Sequence, residues 1–400
     1  MKIKELKQSF FSLSQKGINY NLDNISKAAS LCSNPHNNFR SIHVAGTNGK
    51  GSTCAYIESV LRHAGYKTGL FTSPQILHFE EQIKIDGKAI TEKLWLKVYK
   101  DLYTIINNME LSFFESLCLI SFEIFSRSKI DYAVIECGMG GKSDSTNIII
   151  PEVSVITKIA LDHKEYLGNT LLQIAVEKLG IVKRGVPLVM MQSEDESITR
   201  EAVKICKMNA SELTLVNQFI LDNKALAPSL IGEHQIQNAA LAVKALSKIN
   251  NFSHQVLSEG IKKAYLPGRF EIKKMYNRSI VFDAAHNPDA AFVLKKTLLS
   301  YFPEKKIIFI IGIMKDKDID TFLKNILNEN WSYYFTRPKT ERALDAEALY
   351  KAAEKIQSKN INSVPIPKEA LKSALKEAAK EDIICITGSF YTLCSILKLK

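Results

Sequence analysis

The segment of this chain with the clearest chemistry is a run of glycine, lysine and hydroxyl residues. A strand-like apolar run precedes it, a helix-like stretch follows it, and it reads Gly46-Thr47-Asn48-Gly49-Lys50-Gly51-Ser52. Glycines let backbone N–H groups turn toward phosphate oxygens, the lysine adds a point charge, and a hydroxyl at the helix start can reach a phosphate-bound magnesium ion. The segment predicts a phosphate-binding loop (P-loop) in an ATP-using enzyme, and an ordinary strand-to-helix turn is the simpler alternative.

The loop departs from the common pattern G-x-x-x-x-G-K-[ST]. Val44 holds the first glycine position, and Gly51 separates Lys50 from Ser52. The form G-T-N-G-K-G-[ST] resembles the loop of the folylpolyglutamate and dihydrofolate synthases, which are relatives of the Mur ligases. This resemblance implies that Thr47 to Ser52 bind ATP.

A second candidate site lies where the apolar run Tyr132–Cys137 meets a glycine-rich turn. Glu136 stands near the end of this run. The carboxyl ends of strands line the ligand crevice of an open α/β sheet, so the Glu136 carboxylate is placed to hold magnesium. By itself the segment is better explained as a carboxylate that ends a strand in solvent. Residues 135–147 resemble the family pattern [VI]-E-x-G-x-G-G-x-x-D-[AS]-T-N, which favours the metal site.

Three further residues are expected to hold magnesium because of the same resemblance. His163 lies in a stretch similar to L-D-H-x-x-x-L-G-x-T, although a lone histidine is more often structural. Ser73 lies in a [TS]-S-P match, where the serine hydroxyl touches the metal. Composition alone predicts a helix ending at Gly180 with Lys178 complementing its dipole. Similarity to I-A-x-E-K-A-G-I implies that Lys178 is carbamylated and thereby becomes a carboxylate ligand.

Resemblance also assigns residues further along the chain to ATP. Asn238 lies in a match to G-x-H-Q-x-x-N-A, for which a helix start with a polar face is the alternative. Arg269 follows Pro267-Gly268, and Asp283 and His286 lie in the run 282–288. A guanidinium group suits phosphate and a carboxylate suits ribose hydroxyls, which agrees with this assignment. The resemblance implies that Lys50, Glu136, His163 and Lys178 are the catalytic residues. Motifs in the family's order extend from about Ile18 to Tyr391.

The acceptor site is expected from two shorter matches and one weak one. The family motif [TS]-x-F-E points to Ser112, Phe114 and Glu115, and the same analogy points to Ser143 and Asp144. The pteroate loop I-D-L-G-L-E-R-[VM] aligns with residues 18–25, where only the apolar frame survives. Gln75 and Gln82 stand where the family usually has histidine and often has arginine, so acceptor recognition is the part most altered.

Alternating strand-like and helix-like stretches predict the fold. The expected strands, in chain order, are Ile42–Ala45, Thr68–Phe71, Tyr132–Cys137, Val153–Thr157, Pro187–Met191, Ser279–Phe282, Lys306–Ile311, Ser332–Thr336 and Asp382–Thr387. Such alternation predicts an α/β protein with mainly parallel sheets flanked by helices. A helical pattern from Gln235 to Tyr265 ends at Pro267-Gly268, which places the boundary between a P-loop domain at 1–267 and a smaller Rossmann-like domain at 268–400.

Bulk composition is that of an ordinary globular chain. The 400 residues carry a net charge of +11, but the lysines are dispersed without arginine clusters, so no nucleic-acid partner is expected. Seven scattered cysteines form no C-x-x-C pair, which excludes an obvious disulfide frame or zinc site. No apolar run reaches the length of a membrane span, and the first residues lack a secretory signal. We expect a cytoplasmic monomer that contacts no membrane.

These features predict an ATP- and Mg²⁺-dependent amide ligase that joins L-glutamate to a carboxylate through an acyl phosphate. The resemblance implies a bifunctional dihydrofolate and folylpolyglutamate synthase, whose acceptors are dihydropteroate and reduced folate. Folylpolyglutamate synthesis alone, or another Mur-type ligase with a different acceptor, are the nearest alternatives. A non-catalytic nucleotide-binding module and a basic nucleic-acid binder are the alternatives from other classes.

Overall fold

The computed structural model describes residues 3–17, 19–217 and 227–398. These residues fall into two compact units. The first unit lies within Met1–Ile159, Asn169–Ser229 and Ile236–Tyr265, and the second within Ala160–Gly168, Leu230–Gln235 and Leu266–Lys400. Ile18, the first residue of the expected pteroate loop, lies outside the described residues.

The first unit is built on one sheet of eight described strands. In chain order these are β1 (Arg40–Ala45), β2 (Thr68–Phe71), β3 (Ile83–Ile85), β4 (Lys88–Ala89), β5 (Tyr132–Glu136), β6 (Val153–Ile156), β7 (Leu188–Met191) and β8 (Leu213–Val216). Their order across the sheet is β4-β3-β2-β5-β1-β6-β7-β8, and only the pairs β2–β3 and β3–β4 are antiparallel. The predicted parallel sheet is confirmed, with an antiparallel edge that the sequence analysis did not include.

Helices cover both faces of this sheet. The helices of the first unit are α1 (Ile3–Ser12), α2 (Asp23–Leu31), α3 (Lys50–His63), α4 (Glu92–Asn108), α5 (Phe113–Ser128), α7 (Leu171–Leu179), α8 (Glu196–Met208) and α10 (His254–Lys263). Helix α6 (Lys164–Leu167) belongs to the second unit, and α9 (Glu233–Leu246) begins in the second unit and continues in the first. All five positions of β5 are buried, as expected for a strand covered on both faces. One core cluster contains Phe71, Ile135 and residues of α4 and α5, and another contains Ala45, Ile156 and residues of α7 and α8.

The second unit holds a six-stranded sheet among the described residues. Its strands are β9 (Glu271–Met275), β10 (Arg278–Phe282), β11 (Ile307–Ile311), β12 (Ser332–Phe335), β13 (Ile361–Ser363) and β14 (Ile383–Thr387), in the order β13-β12-β11-β14-β10-β9. Only β9 and β10 pair antiparallel. The helices of this unit after residue 266 are α11 (Pro288–Tyr301), α12 (Ile319–Ile326), α13 (Ala346–Glu354), α14 (Pro367–Glu377) and α15 (Phe390–Leu397).

The expected helical stretch Gln235–Tyr265 is in fact two helices, α9 and α10. The chain leaves the first after Leu246 and begins the second at His254, where the Ser253 side chain accepts a hydrogen bond from the Val256 N–H. Serine at this position is a standard helix cap. Within the described residues, no helix is long and apolar enough to cross a membrane.

Candidate active site

The P-loop occupies the turn between β1 and α3. Gly46 and Gly49 have φ angles of 144° and 91°, which favour glycine. An added Cβ would lie 1.8 Å from Thr157 Oγ1 at Gly46 and 2.4 Å from Asn238 Oδ1 at Gly49. Both glycines are therefore required by close neighbours, and the Asn238 side chain lies directly against the loop.

Backbone hydrogen bonds join the start of the loop to Lys158, two residues after the end of β6. The N–H groups of Thr47 and Asn48 donate to the Lys158 carbonyl over 2.8 Å and 3.3 Å. These two amides therefore support the loop itself. The first N–H groups of a helix have no acceptor within that helix, and α3 begins at Lys50. The amides at the start of α3 are the ones that remain for a phosphate group.

Lys50 and Glu136 meet beside this helix start. Lys50 Nζ lies 4.0 Å from Glu136 Oε1, and it donates to the Thr47 carbonyl over 3.2 Å. The other carboxylate oxygen of Glu136 accepts a hydrogen bond from the Ser73 N–H at 3.3 Å. Only 5% of the Glu136 side chain is exposed, so the nearby ammonium group offsets the cost of burying a carboxylate. Three predicted site residues, Lys50, Ser73 and Glu136, thus lie together at the carboxyl ends of β1, β2 and β5.

Lys178 lies in the last turn of α7, as the sequence predicts, and is buried. Its Nζ donates to the carbonyl of Gly46 over 2.8 Å, which places the amine against the first glycine of the P-loop. An ammonium group has three donors and no lone pair, so unmodified Lys178 is unable to ligate a cation. A role for Lys178 in metal binding therefore requires the carbamylation that the resemblance implies.

The glycine turn after Glu136 is held by Asp144. This buried carboxylate accepts hydrogen bonds from the backbone N–H groups of Met139 (2.8 Å) and Thr146 (3.0 Å), and from the Thr146 hydroxyl. Burial raises the pKa of Asp144 above its usual value despite these bonds. Asp144 therefore shapes the turn, while its neighbour Ser143 is only half-buried.

Ser112 and Glu115 form the cap of α5. The Ser112 side chain accepts from the Glu115 N–H, and the Ser112 N–H and hydroxyl donate to Glu115 Oε2 over 2.9 Å and 2.7 Å. Asn19 Nδ2 donates to the other carboxylate oxygen over 3.3 Å. This reciprocal arrangement is a capping box. Phe114, between them, packs against Phe71 with ring centroids 6.0 Å apart.

The capping box yields a stability prediction for Glu115. We expect Glu115→Ala to lower the free energy of unfolding by about 1–2 kcal/mol, because a buried cap is lost. Glu115→Gln keeps an oxygen acceptor at this position, so we expect near-normal stability and an unchanged KM for the acceptor substrate. Denaturant unfolding and steady-state kinetics check the pair. A folded Glu115→Gln enzyme with a tenfold higher acceptor KM would instead assign the carboxylate to acceptor binding.

In the second unit, Asp162 is the centre of a buried polar cluster. Lys317 Nζ donates to Asp162 Oδ1 over 2.7 Å, and only 6% of the lysine side chain is exposed. His286 Nε2 and Asn287 Nδ2 both lie 3.4 Å from Asp162 Oδ2. Burial alone would raise the pKa of Asp162, yet the hydrogen bond from His286 and the surrounding positive charges hold it far below its usual value. The segment that carries His163 is thereby fixed to the second unit.

Breaking this cluster is expected to be costly. Lys317→Met would leave the buried Asp162 carboxylate without its closest cation, so we expect about 3–5 kcal/mol less stability. Lys315→Met removes an exposed lysine two residues away and serves as the matched control, with an expected change within about 0.5 kcal/mol. Guanidinium unfolding of both variants checks the difference. Equal stability of the two would show that the Asp162–Lys317 pair contributes little.

Asp283 and Arg269, both expected to bind ATP, lie close to each other in the second unit. Asp283 accepts backbone hydrogen bonds from Phe270 and Ala285, each at 2.9 Å. Burial raises the pKa of Asp283 despite the positive charge of Arg269. The Arg269 guanidinium lies 5.0 Å from the centre of the Phe390 ring. Asp283 therefore joins the Pro267–Phe270 turn to the end of β10, in addition to any contact with a ribose.

The predicted metal set is divided between the two units. Ser73, Glu136 and Lys178 surround the P-loop in the first unit, and His163 belongs to the second. In the part of the chain that the structure describes, no group of three or more His, Cys, Asp or Glu side chains forms a ready-made metal site. Glu136 and Ser73 nevertheless fit magnesium, since their side chains supply hard oxygen ligands beside a phosphate-binding turn.

Sequence reasoning gave no role to several residues that support the site. Asp162 and Asn147 lie inside the family patterns matched around His163 and Glu136, and Lys317 lies in residues 312–318, which also resemble a family motif. None of the three was given a role of its own. Lys158, whose carbonyl anchors the P-loop, lies one residue after the expected strand Val153–Thr157. The partners of these residues are distant in the chain, so no local pattern predicts the contacts. The family motifs that contain some of these residues were the one available signal.

Comparison with known proteins identifies the same family of ATP-dependent ligases that the sequence motifs resemble. Residues 44–246 match the family model described as Mur ligase middle domain, and residues 268–390 match Mur ligase, glutamate ligase domain. The chain is similar to the dihydrofolate synthase/folylpolyglutamate synthase of Bacillus subtilis, with 32% identity over 413 residues covering 96% of this chain and 95% of the relative.

Two solved structures are similar over nearly the whole chain. One is a Mycobacterium tuberculosis folylpolyglutamate synthase complexed with ADP, with 27% identity, a TM-score of 0.90, and coverage of 99% of this chain and 98% of that one. The other is a Yersinia pestis bifunctional folylpolyglutamate synthase/dihydrofolate synthase complexed with AMPPNP and a manganese ion. It has 25% identity, a TM-score of 0.89, and coverage of 100% and 98%.

Proposed function

Since this chain belongs to the folylpolyglutamate synthase and dihydrofolate synthase family of Mur ligases, we propose that it is an ATP-dependent ligase that joins L-glutamate to dihydropteroate and to the γ-carboxylate of a reduced folate. The observation that carries this proposal is the meeting of Lys50, Glu136 and Lys178 around the P-loop. Lys50 supplies positive charge and Glu136 supplies carboxylate oxygens, both of which phosphoryl transfer needs, and Lys178 would supply a further carboxylate once carbamylated. An intact set of this kind disfavours a non-catalytic binding module.

The reaction has two steps. A carboxylate is a poor electrophile, so one oxygen of the acceptor carboxylate first attacks the γ-phosphorus of ATP, giving an acyl phosphate and ADP. The glutamate amine then attacks the acyl carbon, the C–N bond forms, and the C–O bond to phosphate breaks. The amine loses a proton, and inorganic phosphate leaves. The products are an amide, ADP and phosphate.

The chain contributes mainly positioning and charge in this reaction. The first amides of α3 and the Lys50 ammonium hold the phosphates, and Asn238 lies against the same turn. We assign the metal ligands to Ser73, Glu136, His163 and carbamylated Lys178. Bound Mg²⁺ would offset the negative charge of the phosphates. Arg269, Asp283 and His286 are assigned to ATP from the second unit.

The acceptor is assigned to two loops of the first unit. Phe114 and Ser143 are half-buried and available to contact it, whereas Ser112, Glu115 and Asp144 shape the two loops through their buried bonds. Residues 1–267 would then bind the acceptor and the phosphates, and residues 268–400 would form the glutamate ligase part. Folylpolyglutamate synthesis alone is the second candidate, because the Mycobacterium tuberculosis neighbour is named for that activity only.

Acceptor-dependent ADP release tests this proposal. Purified protein is supplied with Mg-ATP and L-glutamate, and with dihydropteroate, a reduced folate or no acceptor. We expect ADP release with both acceptors and products that are one glutamyl residue heavier by mass spectrometry. Release with reduced folate alone would establish the second candidate. Release that is independent of any acceptor would contradict both.

We further propose a cytoplasmic monomer that binds neither nucleic acid nor membrane. All seven cysteines are free thiols, the usual state in a reducing compartment. Both sets of proposed ATP-binding residues lie on one chain, so a second copy is not needed to complete them. Light scattering of the purified protein checks the monomer, and retention on DNA at low salt would contradict the absence of a nucleic-acid partner.

A further inference from the structure

The elements that carry Glu136 and Lys178 are in direct backbone contact. The turn after β5 reaches the end of α7, where the Lys142 N–H donates to the Glu177 carbonyl over 2.8 Å. An added Cβ at Gly141 would lie 2.7 Å from the Lys178 carbonyl oxygen, and one at Gly180 would lie 2.4 Å from Lys142 Cβ. Two glycines thus allow the turn and the helix end to pack without intervening side chains. The distance between Glu136 and Lys178 depends on this contact.

Asn147 fastens the two sides of this contact. Its side chain is buried, and its Nδ2 donates to the Lys142 carbonyl over 3.0 Å and to the Gly180 carbonyl over 3.1 Å. A carboxamide nitrogen has two N–H bonds, so both are in use, one on each side. Lys183 Nζ in turn donates to the Asn147 carbonyl over 2.8 Å, which holds the residue in place from the segment that follows α7.

We propose that Asn147 is a positioning residue of the phosphoryl-transfer site. It contacts no substrate and acts by fixing the Glu136 turn against the end of the helix that carries Lys178. Removing its two N–H donors would leave two partly buried carbonyl oxygens without these partners and would let the turn move relative to the helix. A shift of about 1 Å at such a site costs on the order of 10²-fold in rate. The inference rests on the proposed function for the identity of the reaction.

Nucleotide binding with and without metal tests the proposal. Asn147→Ala is compared with wild type for ADP affinity in EDTA and in saturating Mg²⁺, and for kcat and the KM of ATP. We expect ADP affinity in EDTA within twofold, because the P-loop and Lys50 are untouched. The gain in affinity on adding Mg²⁺ should fall tenfold or more, and kcat about 10²-fold with little change in KM. An unchanged gain from Mg²⁺ in a folded variant would overturn the proposal.

Two further variants make the result specific. Asn209→Ala is the matched control, since Asn209 Nδ2 also donates to a helix carbonyl, that of Ile205, at 2.9 Å. We expect it to lose stability but to keep the wild-type response to Mg²⁺, and a loss equal to that of Asn147→Ala would overturn the proposal. Gly180→Ala pushes Lys142 away while Asn147 stays intact, so it should reproduce the Asn147→Ala effect. If Asn147→Ala does not fold, Gly180→Ala takes its place: a tenfold smaller gain in ADP affinity from Mg²⁺ is expected, and an unchanged gain would overturn the proposal.

Failure of the proposed function is separable from failure of this inference. Wild-type protein that binds Mg-ADP but glutamylates neither acceptor would contradict the proposed reaction. The comparison of Mg²⁺-dependent ADP binding between wild type and Asn147→Ala would still decide the positioning role.

Discussion

Lys50→Met is expected to reduce acceptor-dependent ADP formation on the order of 10³-fold. The Lys50 ammonium lies at the start of α3, 4.0 Å from Glu136, and methionine keeps most of the apolar stem while removing the charge. Two losses then coincide. The triphosphate loses a cation, and the buried Glu136 carboxylate loses the group that offsets its negative charge, so it repels the nucleotide. We therefore expect weaker ADP binding even in EDTA, measured by calorimetry.

Two other lysine variants make this result specific to the position. Lys50→Arg should not restore activity, because the planar guanidinium is wider than an ammonium and does not fit the same turn. Lys88→Met removes an exposed lysine from the edge strand β4 and should behave as wild type. Lys50→Met enzyme that keeps more than a tenth of wild-type ADP formation would contradict the role assigned to Lys50.

Local patterns predicted the parts of the site that lie next to each other in the chain. The P-loop follows a strand and opens a helix as expected, although α3 begins within the loop segment, at Lys50, rather than after Ser52. Lys178 falls in the last helical turn before Gly180, and Glu136 ends its strand. Each of these follows from glycine placement and the length of one apolar run. Such features are encoded within about ten residues.

Two of the strands that the sequence did not predict, β9 and β4, have a composition that is unusual for a strand. β9 reads Glu-Ile-Lys-Lys-Met, and β4 is the pair Lys88–Ala89 at the sheet edge. Charged residues are common on edge strands, where they prevent pairing with another chain. These strands form because a neighbour supplies hydrogen-bond partners, as β10 does for β9. That information lies in the tertiary structure.

Support for the site is equally non-local. Lys178 and Gly46 are 132 positions apart, and Lys317 and Asp162 are 155 apart. No periodicity links residues at such distances, so the sequence marked Lys178 and Gly46 without pairing them, and it gave Asp162 and Lys317 no role. The capping box at Ser112 is the converse case, because its two members are three residues apart and S-x-x-E is a known capping pattern, yet the family match assigned both residues only to the acceptor.

Glu136→Gln is expected to separate nucleotide binding from turnover. Glutamine has nearly the same shape and keeps an oxygen acceptor for the Ser73 N–H, but it carries no charge. Without the negative charge of Glu136, the Lys50 ammonium attracts the nucleotide phosphates more strongly and no nearby carboxylate repels them. ADP affinity in EDTA should therefore stay at the wild-type level or rise a few-fold. A neutral amide is a much weaker magnesium ligand than a carboxylate, so kcat should fall on the order of 10²–10³-fold.

The matched control for Glu136→Gln is Glu152→Gln. Glu152 immediately precedes β6 and pairs at 3.8 Å with Arg40, the first residue of β1, so it lies at the amino ends of the strands while the P-loop follows the carboxyl end of β1. Its loss should change neither ADP affinity nor kcat, because surface ion pairs contribute little and this one is remote from the P-loop. Glu136→Gln enzyme with normal kcat would contradict a metal ligand at this position. Loss of ADP binding in EDTA would instead show that Glu136 holds the loop itself, since a carboxylate that only binds metal is not needed for metal-free nucleotide.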